Sequence, residues 1–140
     1  MGSVIQGHVV IPGEARGALL VSGEPLSFWG GYDAASGEII DRRHPLSGQS
    51  GKGRVLALPF SRGSSTTTAV LLEAVHNGTA PAAILTTGVD SFFALASIVA
   101  DELYDRPLPI IALAPEDFGK LTSGAQVWLH PDGVLEMQDP

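Results

Sequence analysis

The 140-residue sequence predicts an α/β domain of mixed β/β/α type. Three observations carry that reading. Two short β-like runs open the chain. A long irregular stretch, Gly23 to Gly53, follows them. From Gly53 onward, apolar strand patterns alternate with helical ones in the order β-α-β-α-β and end in a hairpin.

Val4 to Ile11 alternates weakly and reads as one strand, turned by Pro12-Gly13. Ala15 to Ser22 reads as a second, with Gly17 marking a bend or close approach. The irregular stretch holds Phe28-Trp29-Gly30-Gly31-Tyr32-Asp33 and Arg42-Arg43-His44-Pro45. Loops of this length are often functional, so Phe28 and Trp29 are expected either at a partner surface or as plugs on the core edge. Residues 54–58 form an apolar strand, 65–75 a helix closed by Asn77-Gly78, and 82–86 a buried strand. In the next helix, Ser91 to Tyr104, residues Phe92, Leu95, Ala96, Val99 and Leu103 share one apolar face, expected to be the core face. Pro107 and Pro109 stop it before strand 109–113. Residues 115–118 give a short helical turn, and 126–130 with 134–137 a hairpin around Pro131-Asp132-Gly133.

Composition narrows the function classes. Only 16% of residues are charged, with a formal net charge of −7 and no basic cluster, which argues against nucleic acid as a partner. A weakly charged surface suits a chain that buries part of its outside against another. The absence of cysteine excludes disulfides and any thiolate metal site on this chain. No apolar run approaches a membrane span and the N-terminus lacks a signal-peptide pattern, so the expectation is a soluble, cytoplasmic protein with no membrane partner.

The stretch Pro59 to Thr68 organises the chemistry. It joins an apolar strand to a helix through Arg62-Gly63-Ser64-Ser65. Gly63 suits the turn, and Ser64 or Ser65 falls at the helix N-cap. A helix start gathers free N–H groups and partial positive charge, so a serine there serves as a cap, an anion ligand or an activated base. Neither a Gly-x-Ser-x-Gly elbow nor a phosphate-binding Gly-Lys-Ser/Thr motif is present. His8, His44, His76 and His130 lack ligand partners at metal spacing. His44 shares its loop with Asp41 and two arginines, a pattern read as a surface salt network, with a Ser64-His44-Asp41 triad as the less favoured alternative.

Five segments occur in order: Phe28–Asp33, Gly37–Asp41, His44–Ser50, Arg62–Thr66 and Asn77–Ala83. Together they resemble the small subunit, or swivel domain, of the aconitase X family, over residues 4 to 114. The resemblance implies a swivelling β/β/α domain spanning residues 1–140, with a mixed barrel-like sheet and flanking helices. It implies an aconitase X large subunit as partner, holding the iron–sulfur cluster, and a small hydroxy acid as substrate. It assigns proton abstraction to Ser64 and substrate binding to Arg62, Gly63, Ser65 and Thr66, with no metal ligand on this chain. Thr66-Thr67-Thr68 departs from the small residues common after those serines, which makes Ser65 and Thr66 weaker transfers than Ser64. Among family activities the wording is closest to cis-3-hydroxy-L-proline dehydratase. Phosphomevalonate dehydratase and a non-catalytic binding module are the alternatives.

Overall fold

A computed structural model describes residues 2–62 and 66–140. Ten strands and three helices lie in chain order: β1 (Gly2–Gln6), β2 (His8–Ile11), β3 (Ala15–Val21), β4 (Leu26–Ser27), β5 (Val55–Ala57), β6 (Ser61–Arg62), α1 (Thr66–Asn77), β7 (Ala83–Thr86), α2 (Ser91–Tyr104), β8 (Ile110–Ala112), α3 (Pro115–Phe118), β9 (Gln126–Leu129) and β10 (Val134–Gln138). Eight strands form one mixed sheet in the order β1-β10-β9-β3-β5-β7-β8-β2, while β4 and β6 pair separately. The centre, β3-β5-β7-β8, is parallel; the other neighbours are antiparallel.

The first expected strand is really two. Gly7 splits it, and its halves lie on opposite edges of the sheet. One residue cannot span a flat eight-stranded sheet, so the sheet must curl until its edges meet, giving a nearly closed barrel. Gly7 sits where they meet. Its N–H donates to Gly133 O at 2.9 Å, and a Cβ there would come within 2.2 Å of Ile111 Cγ2.

The central parallel strands are apolar on both faces. Leu19, Val55, Leu85 and Ile111 fill the barrel with Leu129, Leu135 and Met137. Their neighbours Leu20, Leu56, Ile84 and Ile110 face a second core with α1 and α2. That double burial explains why the parallel strands read as continuous apolar runs. The irregular stretch belongs to this second core. Phe28, Tyr32, Ile39 and Leu46 are buried in it, and Phe28 stacks on Tyr32 and meets Phe93 edge-on. Tyr32 donates its phenol proton to Thr79 O at 2.7 Å, and burial pushes its pKa upward.

Helix boundaries follow local chemistry. Gly78 ends α1 at φ 75°, with its N–H on Val75 O and that of Thr79 on Ala74 O, a Schellman closure. Asp90 caps the start of α2, and Asp105 ends it in the left-handed region at φ 54°. The buried face of α2 is Phe93, Ala96, Ser97 and Ala100, which corrects the expected stripe. Of that stripe only Ala96 is buried; Leu95 and Leu103 are exposed, and Phe92 and Val99 half-buried. Ser97 earns its interior place by donating to Leu108 O at 2.6 Å and accepting from Leu108 N at 2.8 Å.

Candidate functional site

The C-terminal ends of parallel strands point the connecting loops to one side of an α/β sheet, where sites are commonly built. There β5 runs through Leu58-Pro59-Phe60 into β6, and three residues separate β6 from α1. Gly63, Ser64 and Ser65, the expected centre of the site, lie outside the described residues, as does the expected serine cap of α1. Arg62 ends β6 and Thr66 opens α1, so these two bracket residues 63–65 in sequence, and both are exposed. Among the described residues, the first turn of α1 carries no acidic side chain of its own against the positive end of its dipole.

The strand entering the turn is held from two sides. β4 pairs with it in parallel, Leu26 opposite Ser61 and Ser27 opposite Arg62. From the other side comes the loop between β7 and α2. Thr87 donates to Pro59 O through its N–H at 3.2 Å and its hydroxyl at 3.0 Å. Asp90 reaches further. One carboxylate oxygen accepts the Ser61 N–H at 2.7 Å and the Ser61 hydroxyl at 2.8 Å. The other accepts from the N–H groups of Phe92 and Phe93 at 3.0 and 3.1 Å. One buried side chain thus starts α2 and anchors the strand before the turn.

Sequence reasoning missed Asp90. Its capping role was legible, since an Asp directly before a helix is a start signal. Its grip on Ser61, 29 positions upstream, was not. Beyond it, Thr68 Oγ1 donates to Phe92 O at 3.3 Å and ties α1 to α2. Thr67 Oγ1 is buried without a hydrogen-bond partner among the described residues. A hydroxyl in that state costs about 1–3 kcal/mol, retained in the first turn of α1.

The loops that lead to β6 and α2 expose large apolar side chains. Trp29 is 70% exposed, and Phe60 and Val89 are exposed beside Ser61 and Asp90. The Phe28-Trp29 pair therefore divides: Phe28 is a core plug and Trp29 faces outward.

The histidine loop is structural. His44 is buried; its Nδ1 accepts the Leu46 N–H at 3.1 Å, which leaves Nε2 to donate to Glu24 O at 3.3 Å. With both ring nitrogens on backbone it is neither a surface salt network nor part of a triad. Asp41 instead accepts the backbone N–H of Arg43 at 3.0 Å. His76 lies against the Tyr104 ring, and His130 pairs with Glu136 beside Trp128. Among the described residues no group of three or more His, Asp or Glu could hold a metal ion, and no helix is long and apolar enough to cross a membrane.

A nearly closed mixed barrel flanked by helices, with β6 followed by α1 beyond the ends of its parallel strands, defines a swivel-type α/β domain. Comparison with known proteins makes this specific. The model of the aconitase X swivel domain matches residues 4–137, and the chain belongs to that family. A cis-3-hydroxy-L-proline dehydratase from Pseudomonas aeruginosa is 48% identical over 136 residues, covering 93% of this chain. The chain spans only 23% of that relative's length. The phosphomevalonate dehydratase small subunit of Methanothermobacter thermautotrophicus is 43% identical over 101 residues, 71% of this chain and 77% of the relative. Among solved structures, holo aconitase X from Thermococcus kodakaraensis superposes with a TM-score of 0.85 at 29% identity, covering 98% of this chain and 99% of that one.

Proposed function

We propose that this chain is the small, swivel part of a two-part hydro-lyase that dehydrates cis-3-hydroxy-L-proline to a pyrroline-2-carboxylate. The observation that carries the substrate is the 48% identity to the Pseudomonas dehydratase over 136 residues. The remaining three quarters of that relative correspond to the large subunit that this chain needs for activity. Because this chain has no cysteine, an iron–sulfur cluster in the enzyme must take its thiolates from the large subunit. When bound there, such a cluster supplies Lewis acidity to the leaving hydroxyl.

Ser64 is the base on this reading. A serine hydroxyl is a poor base in water, but the positive end of the α1 dipole, with no acidic residue in that helix's first turn, stabilises its alkoxide. Ser64 takes the proton from the carbon next to the substrate carboxylate. Arg62 binds that carboxylate or steadies the alkoxide, and Gly63, Ser65 and Thr66 complete the binding turn. Asp90 holds the strand before the turn while the two parts close, which expels water and brings base and substrate together. The exposed rim of Trp29, Phe60 and Val89 is the surface on which closure occurs. The setting is the cytoplasm.

The test is a reconstituted assay with the large subunit and cis-3-hydroxy-L-proline. Ser64→Ala should abolish turnover by at least about 10²-fold, as loss of a general base does, while leaving subunit association intact. Turnover and association both surviving that change would refute the base assignment. A second reading has its own support in the 43% identity to the Methanothermobacter small subunit. Mevalonate 5-phosphate offered in parallel separates the two, since turnover of it alone keeps the mechanism and moves the substrate.

A further inference from the structure

The outward face of α2 has the composition of an interior and the exposure of a surface. Phe92, Leu95, Val99 and Leu103 recur at helical spacing; Leu95 is 47% and Leu103 62% exposed, and Phe92 and Val99 are half-buried. Ile98, 51% exposed, widens the strip. From Phe92 to Leu103 it runs roughly 16 Å along the helix. The core side of α2 is filled by other residues, so the domain's own packing covers this strip only in part.

We propose that this face is a docking surface for the large chain of the hydro-lyase, separate from the catalytic turn and responsible for holding the two chains together while the turn opens and closes. The proposal rests on the two-part reading above. Two observations select this occupant. The first is continuity. The strip begins next to Asp90, whose carboxylate binds Ser61 at the entrance to the turn, so a chain reaching the turn also reaches Val89 and Phe92. The second is charge. Within α2 the charged residues are Asp101 and Glu102; exposed Asp105 and Arg106 follow it, and Glu73 is exposed on α1, so carboxylates outnumber cations here. A second copy would bring carboxylates to carboxylates from chains that each carry −7. The fitting partner is an apolar ridge bordered by lysine or arginine.

The experiment measures binding, not turnover. The aconitase X large chain of the same organism is titrated onto this chain, and Kd is compared for wild type, Leu95→Glu/Leu103→Glu, and Val4→Glu, which places the same charge on an exposed apolar residue of β1. The double variant should bind at least tenfold more weakly with an unchanged melting curve of its own, while Val4→Glu binds as wild type. Leu95→Ser/Leu103→Ser repeats the test if glutamate lowers the melting temperature. Asp101→Lys/Glu102→Lys should also weaken binding, by a factor that shrinks as salt rises. An unchanged Kd for both apolar double variants overturns the proposal. So does a self-association of the lone chain that they abolish, which would make a second copy the occupant. Binding that depends on the strip in a complex that dehydrates neither substrate would refute the proposed function and leave the docking surface standing. Turnover with strip-independent binding would do the reverse.

Discussion

Removing the Asp90 carboxylate should cost the domain far more than an ordinary loop substitution. It accepts four hydrogen bonds, two from the first turn of α2 and two from Ser61, and it is buried. In Asp90→Ala the lost helix cap costs about 1 kcal/mol. Leaving the Ser61 N–H and hydroxyl without their acceptor adds about 1–3 kcal/mol. The sum, about 2–4 kcal/mol, lowers Tm by roughly 7–14 °C in a domain of this size. Asp90→Asn separates the two roles. Its amide oxygen can still cap α2, and its NH₂ group can donate to the Ser61 hydroxyl. The Ser61 N–H, however, then faces another donor. About half the loss should remain. The assay is urea unfolding of the isolated chain, read as a shift in midpoint at constant slope. Asp90→Ala within about 0.5 kcal/mol of wild type would refute the clamp, being the range of ordinary surface substitutions. Equal losses for Ala and Asn would refute the division into cap and clamp.

Tyr32→Phe should cost about 1–2 kcal/mol at neutral pH by stranding Thr79 O. Burial raises the folded pKa of Tyr32 above its ordinary 10.0, so its contribution is complete below that pH and is lost as pH rises past it, when the unfolded chain ionises first. The stability difference between wild type and Tyr32→Phe should therefore shrink above about pH 10, as urea midpoints across that range would show. Phe28→Ala and Trp29→Ala should differ sharply although they are neighbours. The buried ring costs about 3–5 kcal/mol of stability. The exposed one costs less than about 0.5 kcal/mol and instead weakens association with the large chain. Thermal melts and the binding titration check both.

The local elements were legible because local chemistry makes them. Asn77-Gly78 does end α1, the Pro131-Asp132-Gly133 hairpin forms between β9 and β10, and apolar runs buried on both faces become the parallel strands. The ordered motifs from Phe28 to Ala83 pointed to the family, and the family model matches. What failed were inferences that needed a neighbour. A weakly alternating run at residues 4–11 gives no sign that Gly7 sends its halves to opposite sheet edges, because sheet closure is a property of eight strands together. Helical spacing in α2 locates an apolar face without saying whether the core or another chain meets it. The barrel and α1 accept the smaller face of Phe93, Ala96, Ser97 and Ala100, where Ser97 finds its partners on Leu108. His44 and Asp41 look like a charged surface pair in sequence, yet the fold gives both to the backbone. Asp90 shows the boundary most clearly. Its place before α2 fixes it as a cap within a few residues of chain, whereas its hold on Ser61 exists only because β5 and β7 lie side by side and bring two distant loops within hydrogen-bonding range.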